Sequence, residues 1–475
     1  MSRKMARSNI TARSDPMTSQ TPHPLKSIDR TRVAAIMARE EQKFVADHPK
    51  SAALYERAQR SLLGGVPMNW MKKWAGKFPV FVADAHGAHF TDVDGHDYVD
   101  LCLGDTGAMT GHSPAPAVEA IARQSKQGIT LMLPTEDAVW VGEELAHRFG
   151  LPYWQFTLTA TDANRFSIRI AREITSRPKI LVYNYCYHGS VDESFISIID
   201  GKAAPRRGNI GPPVNPAETT RVVEFNDLVA LEAALKPRDV ACILAEPVMT
   251  NVGIVHPDPG YWQSAAEIAR AHGAILIMDE THTICAGPGG YSREHAIRPD
   301  IFVIGKPIAS GLPAGTYGCS AEVAEKITNR IHLEDCDTGG IGGTLAGNAL
   351  SLAAVRATLE HVLTPQAFAH MIPLAQRFAK GVAAAIEAVN LPWHVTRLGC
   401  RAEYLFRPNP PRNGGEAAAA ADFDLERYMH LYALNRGVLL TPFHNMALMS
   451  PATTDADVDF HTRIFESAVR ELTAA

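Results

Sequence analysis

The chain contains no apolar run of the roughly 18 residues needed to cross a bilayer. It has no CxxC pair, and its seven cysteines (Cys102, Cys186, Cys242, Cys285, Cys319, Cys336, Cys400) are odd in number and scattered. That spacing argues against a disulfide framework or a zinc site; no metal is expected, and a reducing, cytoplasmic setting fits best. Most of these thiols read as small buried residues, with Cys285 alone near candidate chemistry. Charge of one sign is also missing: 46 Lys and Arg stand against 51 Asp and Glu, a formal net charge of −5. Nothing in that balance favours a nucleic acid or an anionic membrane as partner. Residues 1–28 hold no apolar core that could serve in secretion. They are polar, basic and aperiodic, and read as a disordered extension, although a transit peptide shares that composition.

What remains is a globular composition, 46% hydrophobic and 20% charged, spread over 475 residues. So long a chain divides into two or three units rather than one core. From Asp29 to Leu63 the pattern is helical and closes on paired glycines. FPVFVADAHGAHFTDVDGHDYVDLCLG then alternates apolar and polar residues around two turns, as a small antiparallel meander does. Thereafter strands (WQFTLT, KILVYNY, DVACILAEPV, AILIMDE, IFVIGK) alternate with amphipathic helices, the signature of βαβ units and a mostly parallel, doubly wound α/β sheet. From about Asn348 the chain turns helical again, passes through strands around VTRLGCRAEYLF, and ends in two helices. The expected organisation is a large domain over 112–347 and a small α+β domain built from both termini, 29–111 and 348–475.

Two of these strands end in residues that no strand interior favours. ILIM runs into Asp279 and Glu280, and IFVIG runs into Lys306. Short all-apolar runs suit central parallel strands covered on both faces, and ligands of such sheets sit at the carboxyl ends of the strands. An acid and a lysine on that rim match the needs of pyridoxal phosphate (PLP). The lysine forms a Schiff base with the aldehyde, while the acid keeps the pyridine nitrogen protonated. Each feature alone is common at a solvated loop, so the rest of the chain has to decide.

Phosphate calls for free backbone amides at a helix N-terminus with hydroxyls beside them. Thr159-Ala160-Thr161 offers this where WQFTL meets a helix, and the glycine-dense TGGIGGT (Thr338 to Thr344) is a second candidate. Tyr187, followed by His188 and Gly189 just past a strand, can stack on a planar ring. Glu246 ends the strand ACIL on the same rim.

GGV near Gly64, GAHFTDVDGHDYVDLCLG, GHSPAPAVEAI, TATDANRFSIRIAR, YHGS, AEPV, MDETHT, IGKPIASGLPAG and GGTLAGNALSLAA occur in an order that resembles the class III (omega-type) aminotransferases of PLP fold type I. The similarity is strongest to their glutamate-1-semialdehyde aminomutase-like branch and runs from about Leu62 to the C-terminus. By that resemblance Lys306 is the Schiff-base lysine and proton shuttle, and Asp279 the partner of the pyridine nitrogen. Ala160 and Thr161 hold the phosphate, Tyr187 stacks on one ring face with His188 beside it, and Thr281 lies on the opposite face. Glu246 orders the groups around Asp279. Thr344 reaches the phosphate of a neighbouring subunit, which implies a homodimer.

The departures bear on substrate. The stretch after GGV is PMNWMKKW, without the arginine by which the aminomutases grip a carboxylate. LTPFHNMALMS likewise lacks the arginine of the related β-amino-acid enzymes. Met68, Trp70, Phe443 and Met446 stand there instead, a pocket suited to a hydrophobic amine, with Lys72 or Lys73 left to receive an acceptor carboxylate. The expected activity is a transaminase passing an amino group from a hydrophobic primary amine, or an omega- or beta-amino acid, to a keto acid such as pyruvate. The alternatives are an aminomutase and a non-catalytic PLP-fold binding protein, the latter disfavoured by retention of Lys306 and Asp279.

Overall fold

The computed structural model describes residues 28–206, 208–330, 340–441 and 443–474. The extension expected over 1–28 therefore lies, but for Ile28, outside the described residues, as do Thr338 and Gly339 of the glycine-dense loop.

The centre is a seven-stranded sheet of β1 (Tyr153–Thr157), β2 (Lys179–Tyr183), β3 (Thr220–Val223), β4 (Val240–Ala245), β5 (Ile275–Asp279), β6 (Ile301–Ile304) and β7 (Gly315–Cys319). Their order is β1-β7-β6-β5-β4-β2-β3. Every pairing is parallel except the two made by β7, which runs antiparallel to β6 and to β1. Helices cover both faces, which is why the central strands β4, β5 and β6 are apolar runs, interrupted only by Asp279 at the end of β5. On one side Ile180, Val182, Leu244 and Ile277 pack against Ile168, Ile170 and Ala171 of the helix Ala160–Thr175. On the other, Leu181, Ile243, Leu276 and Met278 meet Trp262, Ala265 and Ala269 of the helix Tyr261–His272. Each buried aliphatic side chain contributes about 1.5–3 kcal/mol of transfer free energy.

The two ends of the chain meet beside this sheet. Val82–His86, His89–Asp92 and Asp97–Asp100 form the antiparallel meander, and Val438–Leu439 joins it in parallel with Val438 opposite Val99. The helix Arg30–Asp47 lies against Phe423–Leu434. There the buried carboxylate of Glu40 accepts from Arg436 Nη1 at 2.9 Å and Asn435 Nδ2 at 2.8 Å. A second antiparallel sheet, His394–Leu398, Arg401–Leu405 and Met446–Leu448, packs against the helix Pro365–Ala388, which in turn packs against Asp455–Thr473.

Two elements of the central sheet escape the sequence pattern. β3 is only TRVV, and β7 is GTYGC, whose glycines look like turn residues. Close packing demands them: a Cβ on Gly315 would stand 2.4 Å from the carbonyl carbon of Thr159, and one on Gly318 2.6 Å from the Trp154 ring. The second helix also stops at Ala58 rather than at the paired glycines. Gly64 and Gly65 (φ 72° and 75°) lie in the short 3-10 turn that follows.

Candidate active site

Asp279 is the last residue of β5 and pairs in register with Val303 of β6. Lys306 follows β6, so the acid and the lysine reach the same carboxyl rim on neighbouring strands. They line a cavity of about 470 Å³ together with Trp70, Ala160, Thr161, Tyr187, Glu246 and Thr281.

Asp279 is nearly buried and fully engaged. Its Oδ2 accepts from His188 Nδ1 at 2.9 Å and from Asn164 Nδ2 at 2.8 Å, and its Oδ1 from the Thr281 amide at 3.1 Å. Burial opposes the charge, but the hydrogen bonds and the His188 imidazole outweigh it and hold the carboxyl below its usual range. His188 is shifted upward in turn: burial works against the imidazolium, while Cys186 and Asp279 favour it more strongly. The result is an anchored anion at the depth of the cavity.

At the other end the helix Ala160–Thr175 begins. Thr159 caps it, its Oγ1 accepting from the Asp162 amide at 3.2 Å. The amides of Ala160 and Thr161 are first-turn donors without intrahelical acceptors. Thr161 Oγ1 accepts from the Ser190 amide at 3.1 Å, which leaves its proton free to donate. Gly305 permits this approach, since a Cβ there would come within 2.9 Å of the Ala160 Cβ. The cavity thus offers a carboxylate for a ring nitrogen, a lysine for an aldehyde, a half-buried tyrosine ring and an amide cradle for phosphate. That donor set fits PLP.

Lys306 sits at a left-handed φ of 44°. Its Nζ donates to Asp105 Oδ2 at 2.9 Å and to His282 Nε2 at 2.7 Å. Asp105 lies in a run of left-handed residues, Leu103 to Thr106, with φ of 45°, 59°, 51° and 82°. Such local strain persists only where surrounding structure holds it. Glu246 accepts from the Thr250 hydroxyl and, at 3.4 Å, from the Thr250 amide. Burial first, then the nearby Asp279 charge, works to raise its carboxyl, to about 7.

Trp70 and Tyr187, which line the cavity, belong to an aromatic cluster drawn from distant segments. Trp70 stands 5.4 Å from Tyr187 and 5.3 Å from Phe443, centroid to centroid, and Lys73 Nζ lies 5.7 Å and 5.4 Å from the Trp70 and Phe443 rings. Met446 is buried in its strand, near Thr441, and neither it nor Phe443 is among the cavity walls; Phe443 reaches the site only through its contact with Trp70. Thr344 is exposed and also lies off the cavity of its own chain.

Sequence reasoning passed over Asn164, Asp105, His282, Arg401 and Glu403. His282 stands in the DETHT string next to a residue that was used, and Asn164 sits one turn after Ala160 on the same helix face. Arg401 and Glu403 lie in the VTRLGCRAEYLF segment, whose sequence suggests strands and no chemistry; both are buried and paired at 3.1 Å.

This architecture and donor set define a PLP-dependent enzyme of fold type I. The pattern of the family Aminotransferase class-III matches residues 70–469, and the chain belongs to that family. It is 32% identical over 424 residues to a glutamate-1-semialdehyde 2,1-aminomutase of Sorangium cellulosum, covering 86% of this chain and 94% of that protein. A second relative, glutamate-1-semialdehyde 2,1-aminomutase 2 of Bacillus cereus, is 31% identical over 437 residues, with 90% and 99% covered. Among solved structures, a glutamate-1-semialdehyde aminomutase from Pseudomonas aeruginosa PAO1 superposes with a TM-score of 0.91 at 52% identity, covering 94% of this chain and 99% of that one. An omega-transaminase from Sphaerobacter thermophilus gives 0.80 at 27%, with 89% and 97% covered.

Proposed function

We propose that the chain moves an amino group within one molecule, as a 2,1-aminomutase acting on an amino aldehyde of the glutamate-1-semialdehyde type. The observation that carries this reading is the likeness, at 52% identity over 94% of the chain, to a protein described as a glutamate-1-semialdehyde aminomutase. It shifts the balance away from the hydrophobic-amine transaminase expected from the missing arginines. Lys73, exposed with its ammonium near the Trp70 and Phe443 rings, is the cation this reading assigns to a substrate carboxylate. Bound PLP supplies an electron sink for the carbanion formed when a substrate C–H bond breaks. The chain's residues do the rest. Asp279 holds a negative charge at the ring nitrogen, and the amides of Ala160 and Thr161 with the Thr161 hydroxyl orient the phosphate. Lys306 Nζ carries the proton between adjacent carbons. Trp70 and Tyr187, the former backed by Phe443, keep water from that proton. Thr344, exposed and off its own cavity, suits a role at the phosphate of a second copy, hence a homodimer.

Intermolecular transamination is the second reading, favoured by the aromatic cluster. One experiment separates the two. Protein loaded with pyridoxamine phosphate is given glutamate-1-semialdehyde with no keto acid. Steady formation of the 5-amino-4-oxo acid over many turnovers supports the mutase. A single turnover that stalls, combined with release of ketone from 1-phenylethylamine and recovery on adding pyruvate, supports the transaminase and sinks the mutase.

A further inference from the structure

Between the strands His89–Asp92 and Asp97–Asp100 the chain turns through Val93 to His96, and the turn brings Asp92 and His96 against His48. His48 joins the helix Arg30–Asp47 to the helix Pro49–Ala58. The ligand atoms of these three side chains lie within 4.8 Å of one another, and none of the three residues lines the active-site cavity. Asp92 Oδ2 is 3.1 Å from His96 Nδ1 and 3.4 Å from His48 Nε2. Nδ1 of His48 lies 2.7 Å from the Phe44 carbonyl, which can only accept, so Nδ1 carries the proton and the lone pair of the neutral ring falls on Nε2. The buried Tyr98 hydroxyl stands 2.8 Å from that Nε2 and 3.0 Å from Asp92 Oδ2. Its one proton can serve only one of them. Asp92 Oδ1 accepts from the amides of Asp94, Gly95 and His96 at 2.9, 2.8 and 2.9 Å, which fixes the carboxylate with Oδ2 toward the two rings.

We propose that His48 Nε2, Asp92 Oδ2 and His96 Nδ1 bind a divalent transition metal of the zinc type. Around a tetrahedral zinc with bonds of about 2.0–2.1 Å, ligand atoms stand about 3.3–3.4 Å apart, close to both separations from Asp92. The His96 ring lies 4.8 Å from the His48 ring, centroid to centroid, and with 42% of its side chain exposed it has room to close the third side. The same exposed side leaves the fourth position to water. Two imidazoles and a carboxylate are donors that zinc takes, and the scattered cysteines argue only against thiolate sites. The supports behind the ligands match as well. A carbonyl on the far nitrogen of a ligating histidine fixes its tautomer, and hydrogen bonds to the free oxygen orient a ligating carboxylate. With Nε2 taken by the metal, the Tyr98 proton goes to Asp92 Oδ2. The ion ties the two N-terminal helices to the meander, a junction that Asp94 also holds by accepting from the amides of Lys50 at 2.7 Å and Ser51 at 3.0 Å. Its role is structural and does not depend on the reaction at Lys306.

The test uses full-length, tag-free holoenzyme freed of metal by a chelator and titrated with Co2+. Spectra are read as differences from the metal-free protein, so that cofactor absorbance cancels. The intense visible band of a tetrahedral ion should grow to one cobalt per chain and fade on adding Zn2+. His96→Gln changes a largely exposed side chain and should fold, yet lose the band. Asp92→Asn, which keeps an oxygen for the three amides, should weaken cobalt binding by at least about tenfold. Zn2+ at about hundredfold excess over its Kd should raise Tm by roughly 3 °C, and the rise should be absent in His96→Gln. No visible band, a band that saturates at another ratio, or a band or Tm rise that survives in His96→Gln overturns the site and leaves a protonated His48 to close the cluster.

Discussion

The ring of Trp70 stands edge-on to that of Phe443, centroids 5.3 Å apart at 69°, although the two residues come from opposite ends of the chain. A T-shaped pair is the preferred aromatic geometry and adds about 0.5–1.5 kcal/mol to plain burial. Trp70 and Tyr187 line the cavity, and Phe443 backs Trp70 from outside it. Trp70→Ala should therefore raise KM for the substrate about tenfold with a smaller change in kcat, as expected for loss of uniform binding. Steady-state kinetics decide it: a fall in kcat at constant KM would place Trp70 in the chemical step instead.

Asp279 is held by three donors, and its charge is the reason for them. A carboxylate about 4 Å from a pyridinium contributes on the order of 4 kcal/mol at an effective dielectric of 20. Asp279→Asn keeps the shape and loses the charge, so kcat should fall by about 10³ while the protein still binds cofactor. Activity and cofactor stoichiometry are measured on the same sample. A variant of near-normal kcat would remove Asp279 from the electrostatic role.

Much of the central sheet can be read from apolar periodicity because both faces are covered: β2, β4, β5 and β6 are runs of Ile, Leu and Val that announce themselves. β7 cannot, since glycines required by the contacts of Gly315 and Gly318 erase the pattern. The same contrast holds at the site. Asp279 and Lys306 are conspicuous because a charge interrupts an apolar strand. Asp105 and His282 sit in irregular backbone, where no period exists to be broken, and only the fold brings them to Lys306. Arg401 is inconspicuous for another reason: assigning a strand places residues two apart on one face, and says nothing of whether they pair.

Arg401 and Glu403 form a buried ion pair at 3.1 Å, with His444 Nδ1 3.2 Å from the other carboxylate oxygen. Arg401 also donates to the Thr250 carbonyl at 3.1 Å. Arg401→Met should destabilise the protein by about 3–5 kcal/mol, since Glu403 stays charged in a dry environment. Adding Glu403→Leu should recover most of the loss. Chemical denaturation of both variants checks this. A double variant no better than the single one would mean that the cluster matters for shape rather than charge.

Glu246 makes stability depend on pH in a specific direction. Its carboxyl is raised from the usual 4.5 to about 7, with burial as the leading cause. Below pH 4.5 it is protonated in folded and unfolded chains alike, and its contribution is fully present. Between these values only the folded chain keeps the proton, and the contribution is lost as pH rises through about 7. A shift of this size corresponds to roughly 3 kcal/mol. Glu246→Gln cannot titrate, so the stability of the native protein relative to this variant should fall by that amount between pH 4.5 and 7.5 and level off above. Paired denaturation curves across that range, with cofactor saturating, measure the difference directly, and other titrating groups cancel between the two proteins. Parallel curves would place the Glu246 carboxylate in a better-solvated setting than its burial and its Thr250 partners imply.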